Sequence, residues 1–225
     1  MKTVVILQSN YIPWRGYFDL INAADLFVFH DDLQFTKGDW RNRNRILTAR
    51  GPEWLTIPTG TDEHRLICEV EVPDQSWKTK HRRRIEESYR AAPHFSQGRD
   101  LLDFLYDDPT TNLSDYNQRA VREIARRLSI DTDFADSRSL QPVGTKTERV
   151  VSILQQVNAT RYISGPAGRN YLDQSLFDSA GIELEYFSYD AYKDYPQLHA
   201  PFRGDVTILD LFFNVGPDTR RFLLT

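Results

Sequence analysis

The chain has 225 residues, 40% apolar and 27% charged, enough to bury a sizeable core and too hydrophobic to stay disordered. Lysine and arginine total 28 against 32 aspartates and glutamates, and this net charge of −4 argues against general nucleic-acid binding. One cysteine, Cys68, excludes an internal disulfide and a structural zinc site, and no apolar run reaches the roughly 18 residues that span a bilayer. The opening residues lack the apolar length and small-residue cleavage site of a signal peptide, so the expected location is the cytoplasm.

Residues 4–7 form a continuous apolar run with β-branched residues, the mark of a strand buried inside a parallel sheet. Pro13 breaks the pattern, and Tyr17, Leu20, Ile21 and Ala24 then share one face of a helix expected over 16–24. Leu26-Phe27-Val28-Phe29 reads as a second buried strand, completing a right-handed βαβ unit. Residues 31–52 read as polar and irregular, 54–58 as a third strand, and 67–72, which alternates, as a half-exposed edge strand. Helices are expected at about 77–92, 99–106 and 112–129, punctuated by Pro93, Gly98 and Pro109. The α/β pattern resumes with a helix at 145–157 striped by Val150, Ile153, Leu154 and Val157. A strand at 161–164, a helix at 172–180 capped by Gly181, a strand at 182–187 and an apolar segment at 206–215 follow. The expected architecture is one discontinuous α/β domain over 1–225. Its parallel-sheet core covers about 1–75 and 140–225, with a helical insert at about 76–135.

Four clusters carry chemistry. The first, Gln8-Ser9-Asn10-Tyr11-Ile12-Pro13-Trp14-Arg15-Gly16-Tyr17, sits where the first strand ends, the edge at which parallel sheets bind ligands. Gln8 and Asn10 offer hydrogen bonds, Tyr11, Trp14 and Tyr17 offer rings, and Gly16 permits close backbone approach. The second is His30-Asp31-Asp32-Leu33-Gln34-Phe35, after the second strand. Asp31 and Asp32 are the candidate catalytic carboxylates: adjacent acids can act as a general base, hold Mg²⁺ with substrate phosphates, or merely cap a turn. Gln34 is taken with them as a substrate contact, and His30 as an ordinary satisfied histidine.

The third cluster, Trp40-Arg41-Asn42-Arg43-Asn44-Arg45, reads as an anion cradle, with Trp40, Asn42, Arg43 and Asn44 as substrate contacts; a solvated face is the plainer alternative. The fourth runs from a strand into Ser164-Gly165-Pro166-Ala167-Gly168-Arg169-Asn170-Tyr171. Ser164, Gly165, Pro166, Arg169 and Tyr171 are its candidate contacts, since such loops present backbone N–H groups to anions. It is neither a Walker A loop nor a dinucleotide fingerprint. No residue is assigned as a metal ligand; a nucleotide and Mg²⁺ are the cofactor candidates left open.

Taken in order, these blocks resemble the WbqC-like family of bacterial surface-polysaccharide gene clusters. The later blocks of the resemblance are Tyr171-Leu172-Asp173, Tyr195-Pro196-Gln197 and Ile208-Leu209-Asp210-Leu211-Phe212-Phe213-Asn214-Val215-Gly216. One departure is Ser9, where the family pattern has proline. The resemblance implies work beside enzymes of O-antigen and modified amino-sugar biosynthesis, as an acyl- or aminoacyl-type transferase. A fainter resemblance concerns fold: Pro13-Trp14-Arg15-Gly16-Tyr17 lies where nucleotidylyltransferase-like Rossmann proteins carry His-x-Gly-His. Trp14 and Tyr17 would replace the histidines and cannot supply their cation.

Three functions compete. A transferase acting on a nucleotide sugar predicts Gln8, Asn10, Asp31, Asp32, Arg43 and Ser164 around one pocket. A nucleotidyl-transfer or adenylate-forming enzyme needs a cation at the phosphates, from Arg43, Arg169 or Mg²⁺. A non-catalytic assembly protein predicts an exposed aromatic patch and an Asp pair bridged to the Asn42-Arg43-Asn44 segment. The expected partner is a small molecule, with homo-oligomers open.

Overall fold

A computed structural model describes residues 1–225. The chain opens with β1 (Thr3–Leu7), α1 (Arg15–Asn22) and β2 (Leu26–Phe29). A hairpin of β3 (Arg43–Thr48) and β4 (Gly51–Thr56) follows, then α2 (Ser76–Tyr89), α3 (Arg99–Tyr106) and α4 (Leu113–Arg127). The rest is β5 (Asp133–Asp136), α5 (Lys146–Gln156), β6 (Arg161–Ser164), α6 (Gln174–Ala180), β7 (Glu183–Tyr186) and α7 (Ile208–Val215).

The main sheet has the order β5-β2-β1-β6-β7, with every pair parallel. The chain starts at the centre, moves outward through β2 and β5, then crosses back to lay β6 and β7 on the other side. This is a Rossmann-like α/β core, with the reversal point between β1 and β6. The β1–β6 ladder contains only the pairs Thr3–Arg161 and Val4–Tyr162, whereas β1–β2 and β6–β7 each hold four. Pairing therefore lapses toward the carboxyl ends at the reversal point.

Strand alternation fills two cores. Val5, Phe27, Phe29 and Ile163 join the larger one, with residues of α1, α2, α3, α4, α7 and the hairpin. Val4, Ile6, Leu26, Val28 and Tyr162 face Val151, Ile153 and Leu154 of α5 and Phe177 of α6. Both faces of the sheet are covered, which is why its central strands read as unbroken apolar runs. No helix is long and apolar enough to cross a membrane.

Three expectations are corrected. Residues 43–56 are an antiparallel hairpin outside the main sheet, paired from Arg43–Thr56 to Thr48–Gly51. Asn44 and Ile46 face inward while Arg43 and Arg45 are half-buried, a strand alternation disguised by a polar inward residue. Residues 67–72 are not an edge strand: Ile67–Glu69 is a 3-10 turn, and Glu71 makes one bridge to Asn112. Ile67, Val70 and Val72 are all buried, and positions 67 and 70 cannot share a face in a repeat of two. The edge strand β5 had no counterpart in the sequence reading; its two apolar residues, Phe134 and Ala135, are too few to show a period.

Candidate functional site

The loop from β1 to α1 is over-determined. Ile12 has φ 39°, a left-handed conformation that is strained for a β-branched residue by about 1–3 kcal/mol. Its carbonyl accepts from Asn44 Nδ2 at 2.7 Å and from the Thr207 hydroxyl at 2.8 Å, so the hairpin and the start of α7 both hold it. Asn44 also donates to the Tyr11 carbonyl at 3.1 Å, and the Ile208 N–H donates to the Pro13 carbonyl at 2.9 Å.

Trp14, immediately before α1, packs edge-on to Tyr189 and Tyr192 at centroid distances of 4.9 and 5.8 Å. Its indole lies so close over Gly16 that a Cβ there would stand 2.4 Å from Cζ2. Gly16→Ala is therefore expected to displace the indole and cost about 1–3 kcal/mol. A lower urea midpoint together with altered tryptophan emission would show this; an unchanged spectrum would contradict it.

Beside this loop is a cavity of about 320 Å³ lined by Asn10, Pro13, Trp14, Trp40, Asn44, Arg45 and Asp205. The Asn10 side-chain carbonyl has no partner. On the outer face of the hairpin, Trp40 and Trp54 lie 5.5 Å apart, and the Arg43 guanidinium stacks 4.2 Å from the Trp54 ring. Arg41 is paired to Asp39 at 2.8 Å and Arg45 to Asp205 at 2.7 Å. Arg43 has no carboxylate partner, so the free charge of the expected cradle reduces to Arg43. Burial alone would raise the Asp205 pKa, but hydrogen bonding to Arg203 and the charges of Arg45 and Arg203 outweigh it and hold the carboxylate below its usual range. Pro13, Arg45 and Asp205 line the cavity without being among the expected contacts, and Trp54 packs against Trp40 beside it. Of these, Arg45 was reachable, because it closes the Trp40–Arg45 block that reads as an anion cradle.

A larger depression of about 420 Å³ lies between Gly98, Arg127 and Arg220. Its arginines are committed, Arg220 to the Leu128 carbonyl at 2.7 Å and Arg127 to Asp100 and Glu123, both at 2.7 Å. We place the candidate site at the smaller cavity, which gathers Asn10, Trp14, Trp40 and Asn44 from the predicted clusters.

The remaining predicted residues divide. Tyr11 lies in the core, its hydroxyl 2.8 Å from both His81 Nδ1 and the Tyr106 hydroxyl. Buried Tyr17 donates to the Gln8 carbonyl at 3.0 Å, which fixes the turn after β1. Asn42 is buried between the Ile57 carbonyl and the Gly38 N–H. Gln34 donates to backbone carbonyls of the 63–65 segment and does not line the cavity.

Asp31 and Asp32 turn to opposite sides. Asp31 is fully buried and accepts from the Ser9 N–H at 2.7 Å, from the Ser114 hydroxyl and from Gln118 at 3.3 Å. Burial raises its pKa, and these hydrogen bonds only partly offset that. Asp32 accepts from Ser137 and Arg149. The two carboxylates are thus not presented to one cation, and neither bridges the Asn42-Arg43-Asn44 segment.

The block after β6 stands on the same carboxyl edge as Gln8 but does not line the cavity. Ser164 is buried beneath Gly168, where a Cβ would lie 2.3 Å from its hydroxyl oxygen. Gly165 and Pro166 begin a 3-10 turn ending at Asn170, Tyr171 is exposed, and the Arg169 guanidinium stacks 4.2 Å from the Tyr186 ring with no carboxylate partner. Tyr195, Gln197 and Asp210 form scaffold: Tyr195 and Gln197 donate to buried Asp210 at 2.8 and 2.6 Å, tying the 195–203 loop to α7.

The profile of the WbqC-like protein family matches residues 8–222. The chain is similar to the uncharacterized protein Rv1507c of Mycobacterium tuberculosis (strain ATCC 25618 / H37Rv). The identity is 45% over 226 residues, covering 99% of this chain and 98% of that protein. No solved structure matches.

Proposed function

This chain belongs to the WbqC-like protein family, and from that premise we propose a cytoplasmic enzyme of surface-polysaccharide or modified amino-sugar biosynthesis. Its reaction is an acyl- or aminoacyl-type transfer, and its substrate is a nucleotide sugar. The supporting observation is the cavity itself: Trp14 and Trp40 as ring-stacking walls, Asn10 and Asn44 in its lining, and the unpaired Arg43 beside Asn44 on the hairpin. Rings on tryptophan faces and a phosphate on a guanidinium are the contacts a nucleotide sugar demands. In this reading Asp31, sealed and fully hydrogen-bonded, positions the Ser9 turn, Asp32 is held by Ser137 and Arg149, and Asp205 is the carboxylate that lines the cavity.

A nucleotidyl-transfer or adenylate-forming reaction is the second reading, favoured by one observation. Arg43 and Arg169 are stacked on rings without carboxylate partners and could meet a triphosphate.

Thermal-shift titration with UDP-, dTDP-, GDP- and CMP-linked sugars is expected to yield at least one stabilising ligand. Trp14→Ala and Trp40→Ala should each weaken it about tenfold or more. No shift across the whole set would overturn the proposal. Mass spectrometry after incubation with ATP, Mg²⁺ and amino sugars separates the two readings, since only the second consumes ATP.

A further inference from the structure

His30 directly follows β2, and its Nε2 lies 3.2 Å from Nε of Arg149 on α5 and 3.7 Å from Oδ1 of Asp32. A guanidinium N–H can only donate. Nε2 must therefore accept, and the single proton of a neutral imidazole is left on Nδ1. Nδ1 has no partner within the protein and is not sealed from solvent. The rest of the cluster is committed. Arg149 also donates to Asp32 and to the Pro142 carbonyl at 2.9 Å, and Asp32 accepts from the Ser137 hydroxyl. The ring stays neutral: burial disfavours its charged form, Asp32 partly offsets this, Arg149 adds to it, and the pKa falls to about 4. One neutral N–H donor thus remains at the carboxyl end of β2, on the edge where parallel sheets bind ligands.

We propose that His30, held as the Nδ1–H tautomer by Arg149, donates a hydrogen bond to a carbonyl oxygen of the ligand. A phosphate fits this position poorly, because Asp32 and Arg149 cancel each other's charge and Asp32 repels a dianion. An amide or acyl carbonyl needs no counter-charge. A fixed neutral donor also stabilises the negative charge that grows on such an oxygen during acyl transfer. The choice of an acyl carbonyl rests on the transferase reading; the tautomer and the free N–H do not.

NMR of protein labelled with ¹⁵N-histidine tests both parts. His30 is expected to show a pyrrole-like Nδ1 and a pyridine-like Nε2 at pH 7. Its Nδ1–H resonance should move saturably with acetamide and with N-acetylglucosamine, and not with glucosamine. His30→Asn keeps an N–H near the Nδ1 position and should retain the response to N-acetylglucosamine, read in both variants from the backbone amide shifts of residues 29–32. His30→Gln keeps an acceptor for Arg149 but no such donor, and should weaken that response about tenfold. A proton on Nε2, an Nδ1–H unmoved by both carbonyl probes, or equal responses in the two variants would overturn the proposal. Nucleotide-sugar binding with an unresponsive His30 would remove His30 and leave the proposed function standing. A responsive His30 with no nucleotide-sugar binding would do the reverse.

Discussion

Acidification from pH 6.5 to pH 4 is expected to remove several kcal/mol of folding stability. Two histidines carry the effect. His30 sits against Arg149, and His81 is packed 5.2 Å from the Trp77 ring with Nδ1 at 2.8 Å from the Tyr11 hydroxyl. Both are buried, and burial is the leading cause that lowers each pKa to about 4. An unfolded histidine titrates near 6.5, so between the two values the unfolded chain binds more protons. Stability is therefore complete above pH 6.5 and is lost as the pH falls toward 4, by roughly 3 kcal/mol per histidine.

Asp19, Asp31 and Asp210 act in the opposite sense. Their pKa values are raised by burial, so the stability they lend is present at low pH and is lost as the pH rises from the ordinary carboxylate value through the raised one. They offset part of the histidine loss at the acid end. Comparing the parent with His81→Gln cancels them. Urea unfolding at steps from pH 7 to 4 should give the variant a slope shallower by about one proton. Parallel profiles would show that His81 titrates normally in the folded protein.

Asn44→Asp is expected to cost roughly 3–5 kcal/mol despite being isosteric. Asn44 is 4% exposed and donates to two carbonyls, those of Tyr11 and Ile12, while accepting from the Arg45 N–H at 2.7 Å. A carboxylate keeps the acceptor and loses both donors, leaving a buried charge against two carbonyl oxygens. The left-handed Ile12 also loses one of its two anchors, so Asn10 and Trp14 should shift and ligand affinity should fall with stability. Asn42→Asp is the control. It is equally buried, but its amide donates to the Ile57 carbonyl at 3.0 Å and does not touch Ile12. It should lose stability and keep the cavity. Denaturant midpoints and tryptophan-monitored titrations of both variants separate these outcomes. Equal binding losses in the two would show that the Ile12 turn does not shape the site.

The division of the candidate site has a similarly local cause. Asp31 and Asp32 are neighbours in sequence, yet continuing the repeat of two from β2 sends one to α4 and the other to α5. That divergence was readable from strand alternation alone. The commitment of Arg45 was not: Asp205 lies 160 residues from Arg45 and follows no periodic pattern. The difference between a neutralised arginine and the free Arg43 therefore appears only once the hairpin has docked beside the 203–207 segment.

Sequence alone determined the buried parallel strands at 4–7, 26–29 and 161–164, the main helices and the α/β class. Each rests on residues close enough in the chain for burial to impose a visible period. Tertiary structure alone decided which side chains meet: Arg149 on His30 and Asp32, Asn44 under Ile12, Trp14 over Gly16. Such pairings satisfy donors, acceptors and volumes across distant segments, and the energy that selects them exists only when both partners have left water together.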